Sequence, residues 1–168
     1  LKDDKTFPWI CIKKEPFPRM FVTRRVIRDG SQYFGPYANV KMMYTLLDLI
    51  KQLYPLRNCN LQLSPANIEA KKFKVCLEYH LGNCLGPCEA KQSLDSYDQQ
   101  IAQIKDILKG NSATVVEFLK GMKDHFAEQL QFEQAQAVKE KIELLESYRS
   151  KAVVVSPLIH NVDVFTVV

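Results

Sequence analysis

No apolar run in this sequence approaches the ~18–20 residues that a membrane-spanning helix needs, and no secretion leader opens it. The expectation is a chain without a membrane partner, in a reducing, cytoplasmic compartment. Glycine is sparse, 6 residues of 168, and proline supplies only 8. Collagen and low-complexity classes are excluded on that ground. A content of 46% hydrophobic and 25% charged residues excludes an intrinsically disordered chain. An initiator methionine is missing at Leu1, and the last residues, Val162–Val168, stop inside an apolar stretch. Both ends read as cuts from something longer.

Acidic residues are also thin at the start. Residues 1–57 hold 11 Lys or Arg against 5 Asp or Glu, whereas residues 58–168 hold 12 against 14. The whole basic excess lies in the first third, which suits either a polyanion partner or a plain solvated face.

The hydropathy pattern predicts an α+β chain that is mainly α. Phe7–Lys13 reads as a strand stopped by Glu15-Pro16-Phe17-Pro18, since proline cannot donate to a ladder. Arg19–Ile27 alternates as a second strand. Asp29-Gly30 then signals a tight turn, after which Gln32–Phe34 is expected to return beside Val26 as a β-hairpin. Val40–Tyr54 carries Met43, Leu46, Leu47, Ile50 and Leu53 at helical spacing, ended by Pro55. Together these form a basic segment, 1–57. Residues 58–92 are irregular, with room for one helical turn around Leu77–Leu81. Residues 93–150 are helical: a run capped by Ser93 or Asp95, a second capped by Ser112, and a third near Glu133–Arg149. The last two have almost no linker and are expected to fold back as an antiparallel hairpin. In 151–168, Ala152–Val155 and Val162–Val168 read as truncated strands.

Five cysteines are present. Cys11 stands alone in a strand-like run and reads as a small buried hydrophobe. Cys59, Cys76, Cys84 and Cys88 form the pattern C-x16-C-x7-C-x3-C. Clustered thiols in a reducing compartment more often bind metal than pair, and four soft thiolates suit zinc or an iron–sulfur cluster. No C-x2-C knuckle is present, so the wide spacing favours a four-iron, four-sulfur cluster over zinc. Either would supply folding energy that an irregular loop cannot draw from a core, and exposed clusters are lost in air.

Several strings carry a family resemblance. Lys2-Asp3-Asp4-Lys5-Thr6-Phe7-Pro8, Glu15-Pro16-Phe17-Pro18-Arg19 and Tyr33-Phe34-Gly35-Pro36-Tyr37 resemble the segment after the GIY-YIG nuclease domain in the UvrC family. Tyr54-Pro55-Leu56-Arg57-Asn58-Cys59 and the stretch from Cys76 to Cys88 are similar to that family's cysteine-rich segment. Leu130-Gln131-Phe132-Glu133-Gln134-Ala135 resembles its UVR motif, a helical hairpin, although Gln136 stands where the family usually has a second alanine. Asp163-Val164-Phe165 resembles the entry to its RNase H-like nuclease domain. The resemblance implies the central portion of a nucleotide excision repair excinuclease subunit, with UvrB and damaged double-stranded DNA as partners. It also implies that both nuclease sites lie outside this chain. Asp3, Asp4 and Asp163 lack partner carboxylates for a two-metal site, and nothing orients His80 or His125 for catalysis, so no catalytic residue is assigned.

Two surfaces remain as candidates. Arg19, Arg24, Arg25, Arg28 and Lys41, with Tyr33 and Tyr37, form a sequence-indifferent DNA surface if the tyrosines are accessible, or an ordinary soluble turn if they are core. Phe126, Leu130, Phe132, Ala135, Val138 and Ile142 line the hairpin, joined by Glu133 through the resemblance. Their apolar stripe docks either on UvrB or on the chain's own Val40–Tyr54 and Tyr97–Leu108 helices. The rival reading is a non-catalytic metal-binding interaction module without a DNA role.

Overall fold

The computed structural model describes residues 7–155, with side chains to residue 150. It is mostly helical, with one three-stranded antiparallel sheet. The described chain divides into two compact units, residues 7–102 and residues 103–155. Among the described residues no helix is long and apolar enough to cross a membrane.

In the first unit, β1 (Trp9–Ile12) is the central strand, flanked by β2 (Met20–Thr23) and β3 (Gln32–Phe34) in the order β2-β1-β3. Its residues explain that place. Ile10, Cys11 and Ile12 are at most 3% exposed, so both faces of β1 are covered. Cys11 is the buried hydrophobe expected, and burial pushes its thiol pKa up.

The expected hairpin between the second and third strands is corrected. β3 pairs with β1, setting Ile10 opposite Phe34 and Cys11 opposite Tyr33, while β2 pairs with the other edge of β1. The Asp29-Gly30 turn forms, but it leads the chain to the far side of β1. The Asp29 carboxylate accepts from the Ser31 N–H at 3.0 Å and pairs with Lys13. The Ser31 hydroxyl in turn accepts from the Lys14 N–H at 3.0 Å. These bonds tie the turn to the end of β1, so residues 24–28 leave the sheet as a loop.

Helix α1 (Val40–Leu53) starts where the Asn39 side chain accepts from the Met42 N–H, and it ends at the extended Tyr54 before Pro55. It buries Met43, Leu46, Leu47, Leu49, Ile50 and Leu53, one face at i, i+3, i+4 and i+7. Two short helices follow, α2 (Pro65–Glu69) and α3 (Leu77–His80), and then a single 3₁₀ turn at Pro87–Glu89. The expected turn around Leu77–Leu81 is therefore present. α2 was not anticipated: Pro65 reads as a breaker but occupies the first turn of a helix capped by Ser64.

Helix α4 (Leu94–Leu108) is capped by Ser93, whose hydroxyl accepts from the Ser96 N–H. Tyr97, Ile101, Ile104 and Leu108 are all buried on it, as the periodicity predicts. In the second unit, α5 (Ser112–Glu128) and α6 (Phe132–Val155) pack against each other as a helical hairpin. Val115, Val116 and Leu119 are buried on α5, and Val138, Ile142 and Leu145 on α6, with Lys120 reaching Glu146 across the pair at 3.6 Å.

Two further expectations are corrected here. Asn111, not Ser112, is the residue before α5, and its side chain makes no capping bond. Ala152–Val155, read as strand, continues α6 as helix. The preceding residues already run as a long helix, and propagation adds a hydrogen bond per residue at little cost, which outweighs weak β-branched preference. Val162–Val168 lie outside the described residues.

Candidate metal centre and basic surface

Three of the four expected metal-ligating thiols lie between α2 and α4, and the fourth, Cys59, follows α1. Cys84 and Cys88 are each 8% exposed; Cys59 is half-buried and Cys76 is exposed at the residue preceding α3. Burial is the main cause raising the Cys84 thiol pKa, with Cys59 and Cys76 adding to it and Arg57 opposing. Cys88 is raised first by burial, then by Cys59 and Cys84. Cys84 therefore lies within electrostatic reach of Cys59 and Cys76, and Cys88 within reach of Cys59 and Cys84. Among the described residues no three His, Cys, Asp or Glu side chains converge closely enough to hold a single metal ion.

The loop around them is shaped by protein bonds. The Glu89 carboxylate accepts from the Val75 N–H at 3.1 Å, closing the segment from Cys76 to Cys88 at its base. Asn83 binds Glu78 through both its backbone and its side-chain amide. Gly86 adopts φ +71°, and a Cβ there would lie 3.0 Å from the Tyr79 ring and 3.1 Å from Val75. Only glycine fits that approach.

One buried charge beside the thiols lies outside the expected set. Arg57 is 3% exposed and stands beside Cys59. Its Nε donates to the Phe17 carbonyl at 2.6 Å, and Nη1 donates to the carbonyls of Cys59 (3.0 Å) and Leu61 (2.9 Å) and to the Cys59 sulfur (3.7 Å). Nη2 donates to the Pro16 carbonyl and lies 3.1 Å from the Glu15 carboxylate. A neighbouring cysteine in the sequence gives no sign of such burial; the signal is tertiary.

The expected DNA-contacting residues fall in three groups. Arg24, Arg25, Arg28 and Lys41 are exposed, and among the described residues none forms an ion pair. Arg19 is half-buried: its Nε and Nη2 donate to both oxygens of Glu15 (2.6 and 3.2 Å), and Nη1 donates to Asn60. Its charge is matched in place. Tyr37 is half-buried, whereas Tyr33 is 4% exposed and its hydroxyl accepts from the Ile27 N–H at 3.0 Å. Tyr33 fixes the loop that carries Arg24, Arg25 and Arg28, and its ring is closed to a base.

Of the expected partner-binding residues, Leu130 is 72% and Phe132 65% exposed at the hairpin tip, and Glu133 is also exposed. Phe126 and Ala135 are half-buried, while Val138 and Ile142 are buried. Phe118, 50% exposed on α5, adds an apolar group that the periodicity had not singled out.

Glu15 joins the two arginines, and its acid response is predictable. Burial pushes its carboxyl pKa up, but the Arg19 hydrogen bond and the charges of Arg57 and Arg19 outweigh burial and leave it below the usual carboxylate range. A lowered folded value means stability that is complete above the unfolded pKa of ~4.3 and is lost as pH falls toward the folded one. Urea midpoints measured from pH 7 downward should fall in that window. Glu15→Gln should flatten the fall and cost about 1–3 kcal/mol at neutral pH, as expected for a lost hydrogen bond to a charged group. A Gln variant with an unchanged acid limb would assign the loss to other carboxylates.

The family model for the UvrC/Cho excinuclease, middle domain, matches residues 7–107. The UvrABC system protein C of Flavobacterium johnsoniae is 58% identical over 168 residues, covering 100% of this chain and 28% of the relative. That of Bacteroides fragilis is 56% identical over 167 residues, and that of Porphyromonas gingivalis 45% over 166, each covering 99% of this chain and 28% of the relative. The chain thus spans about 28% of the length of these relatives. No solved structure matches it. With the middle-domain model covering the sheet, α1, the thiol loop and most of α4, the chain belongs to the UvrC/Cho excinuclease family.

Proposed function

We propose that this chain is the central, non-catalytic portion of a nucleotide excision repair excinuclease subunit, acting in the cytoplasm. In this reading it holds an iron–sulfur cluster, contacts damaged double-stranded DNA through its basic loop and recruits UvrB through its helical hairpin. The parent protein makes the incisions; the residues that make them lie outside this chain.

The observation that carries the reading is the thiol loop. Its donor set is all sulfur, two of the thiols are buried, and a buried guanidinium donates to a third. Four thiolates of a four-iron cluster bind four different irons, so they need not meet at a point as zinc ligands do. That fits thiols that sense one another without converging on one ion. Cys59, Cys76, Cys84 and Cys88 would hold the cluster, which would supply cross-linking energy between α1's exit and the loop before α4.

The basic loop supports the DNA role. Arg24, Arg25 and Arg28 follow one another on a loop whose position is fixed by Tyr33 and by the turn formed by Thr23 with Arg25. Unpaired guanidinium groups bind phosphate without reading sequence, which damage repair requires.

One preparation tests both. Chain purified without oxygen should contain iron and acid-labile sulfide in equal amounts and should shift bubble DNA. With about three phosphates neutralised, affinity should fall as roughly the third power of salt concentration. Zinc in place of iron would overturn the cofactor. Intact cluster content without DNA binding at low salt would favour the metal-bearing interaction module over the DNA-holding one.

A further inference from the structure

Arg57 has more to do than fill space. A buried guanidinium with one carboxylate partner is costly unless its remaining donors are met. Here they are met by backbone carbonyls of two segments about forty residues apart: Pro16 and Phe17 on one side, Cys59 and Leu61 on the other. The same Nη1 that holds the Cys59 and Leu61 carbonyls also points an N–H at the Cys59 sulfur.

We propose that Arg57 is a positioning residue for the thiol centre: it fixes the backbone at Cys59 and just after it, aims that sulfur and hydrogen-bonds it. The inference rests on the reading that these thiols hold a cluster. Two consequences follow from the chemistry. A donor on a ligating sulfur withdraws electron density and raises the reduction potential of the metal it binds. A fixed positive charge lowers the cost of collecting four thiolates in a partly buried site. Lysine keeps the charge but has three donors on one atom, and it cannot span the carbonyls of Phe17, Cys59 and Leu61 while also reaching sulfur.

The test uses the whole chain, purified without oxygen, as wild type, Arg57→Lys, Arg57→Met and Glu15→Gln. The last removes Arg57's carboxylate but leaves its contacts with Cys59. Three quantities are read: iron and sulfide content, the rate of iron release to a chelator, and the midpoint potential from a redox titration followed by electron paramagnetic resonance. Arg57→Lys should fold, release iron about 10–100-fold faster, the usual effect of losing an outer partner of a metal ligand, and show a lower potential. Glu15→Gln should keep both values near wild type. A purely structural Arg57 would change thermal stability while leaving the potential where it was, and that result overturns the proposal. Should Arg57→Met fail to fold, Arg57→Lys decides alone. Wild-type chain without iron and sulfide, whether empty or carrying zinc, overturns the cluster reading and this inference together; a cluster-loaded wild type with insensitive variants overturns this inference only.

Discussion

Replacing Tyr97 with alanine should cost about 3–5 kcal/mol, the range for deleting a fully buried aromatic side chain, and should leave the first unit close to unfolded. Tyr97 is completely buried near the start of α4. Its ring meets Phe17 edge to face with centroids 5.2 Å apart, and its hydroxyl donates to the Pro18 carbonyl at 2.8 Å. One side chain thus joins the helix to the link between β1 and β2. Burial raises its hydroxyl pKa, with Arg57 opposing and Cys84 and Cys59 adding to the rise. Tyr97→Phe keeps the ring contact and strands one carbonyl, which should cost about 1–3 kcal/mol. Urea denaturation of the three proteins gives the ordering. An alanine variant within 1 kcal/mol of wild type would mean that the start of α4 is not part of the first unit.

The second large effect concerns the hairpin tip. Leu130 adopts φ +59°, a left-handed conformation that costs a leucine about 1–2 kcal/mol. It occupies the position after α5 where glycine is usual, in a turn closed by the Leu130 N–H to the Ala127 carbonyl and the Gln131 N–H to the Phe126 carbonyl at 2.8 Å. The side chain so held is 72% exposed, with Phe132 beside it at 65%. The left-handed turn holds both hydrophobes out at the tip, where the proposed docking on a partner would use them. On the proposed reading, Leu130→Gly should stabilise the hairpin by about 1 kcal/mol while weakening capture of UvrB. Leu130→Asp combined with Phe132→Asp should weaken it at least ~30-fold, the equivalent of one ~2 kcal/mol hot spot. Titration calorimetry with UvrB and thermal melts of the same variants measure both quantities. A Leu130→Gly variant that gains stability and binds as wild type would remove the tip from the interface.

How much of this could be read from the residues depends on the range of the interaction responsible. α1, α4, α5 and the hairpin were legible because each shows its buried face locally, as in Met43, Leu46, Leu47 and Ile50. The partner of β3 was not, because Asp29-Gly30 specifies a turn but not which strand receives the chain. That choice follows from β1 being apolar on both faces. Ser64-Pro65 carried a helix-start signal that looked like a break. The four thiols and the exposed arginines stand out in the sequence as types, but Arg57 does not. Nothing local distinguishes it from Arg24 or Arg28, and only its carbonyl partners forty residues away set it apart. Tyr33 shows the same limit from the other side: an aromatic beside arginines reads as a stacking platform, yet its ring lies in the core.

The latch between Glu89 and Val75, with Gly86 seated against Tyr79, draws the two ends of the thiol loop together by protein contacts alone. On the proposed reading, a cluster would add its cross-linking energy to a segment whose two ends already meet.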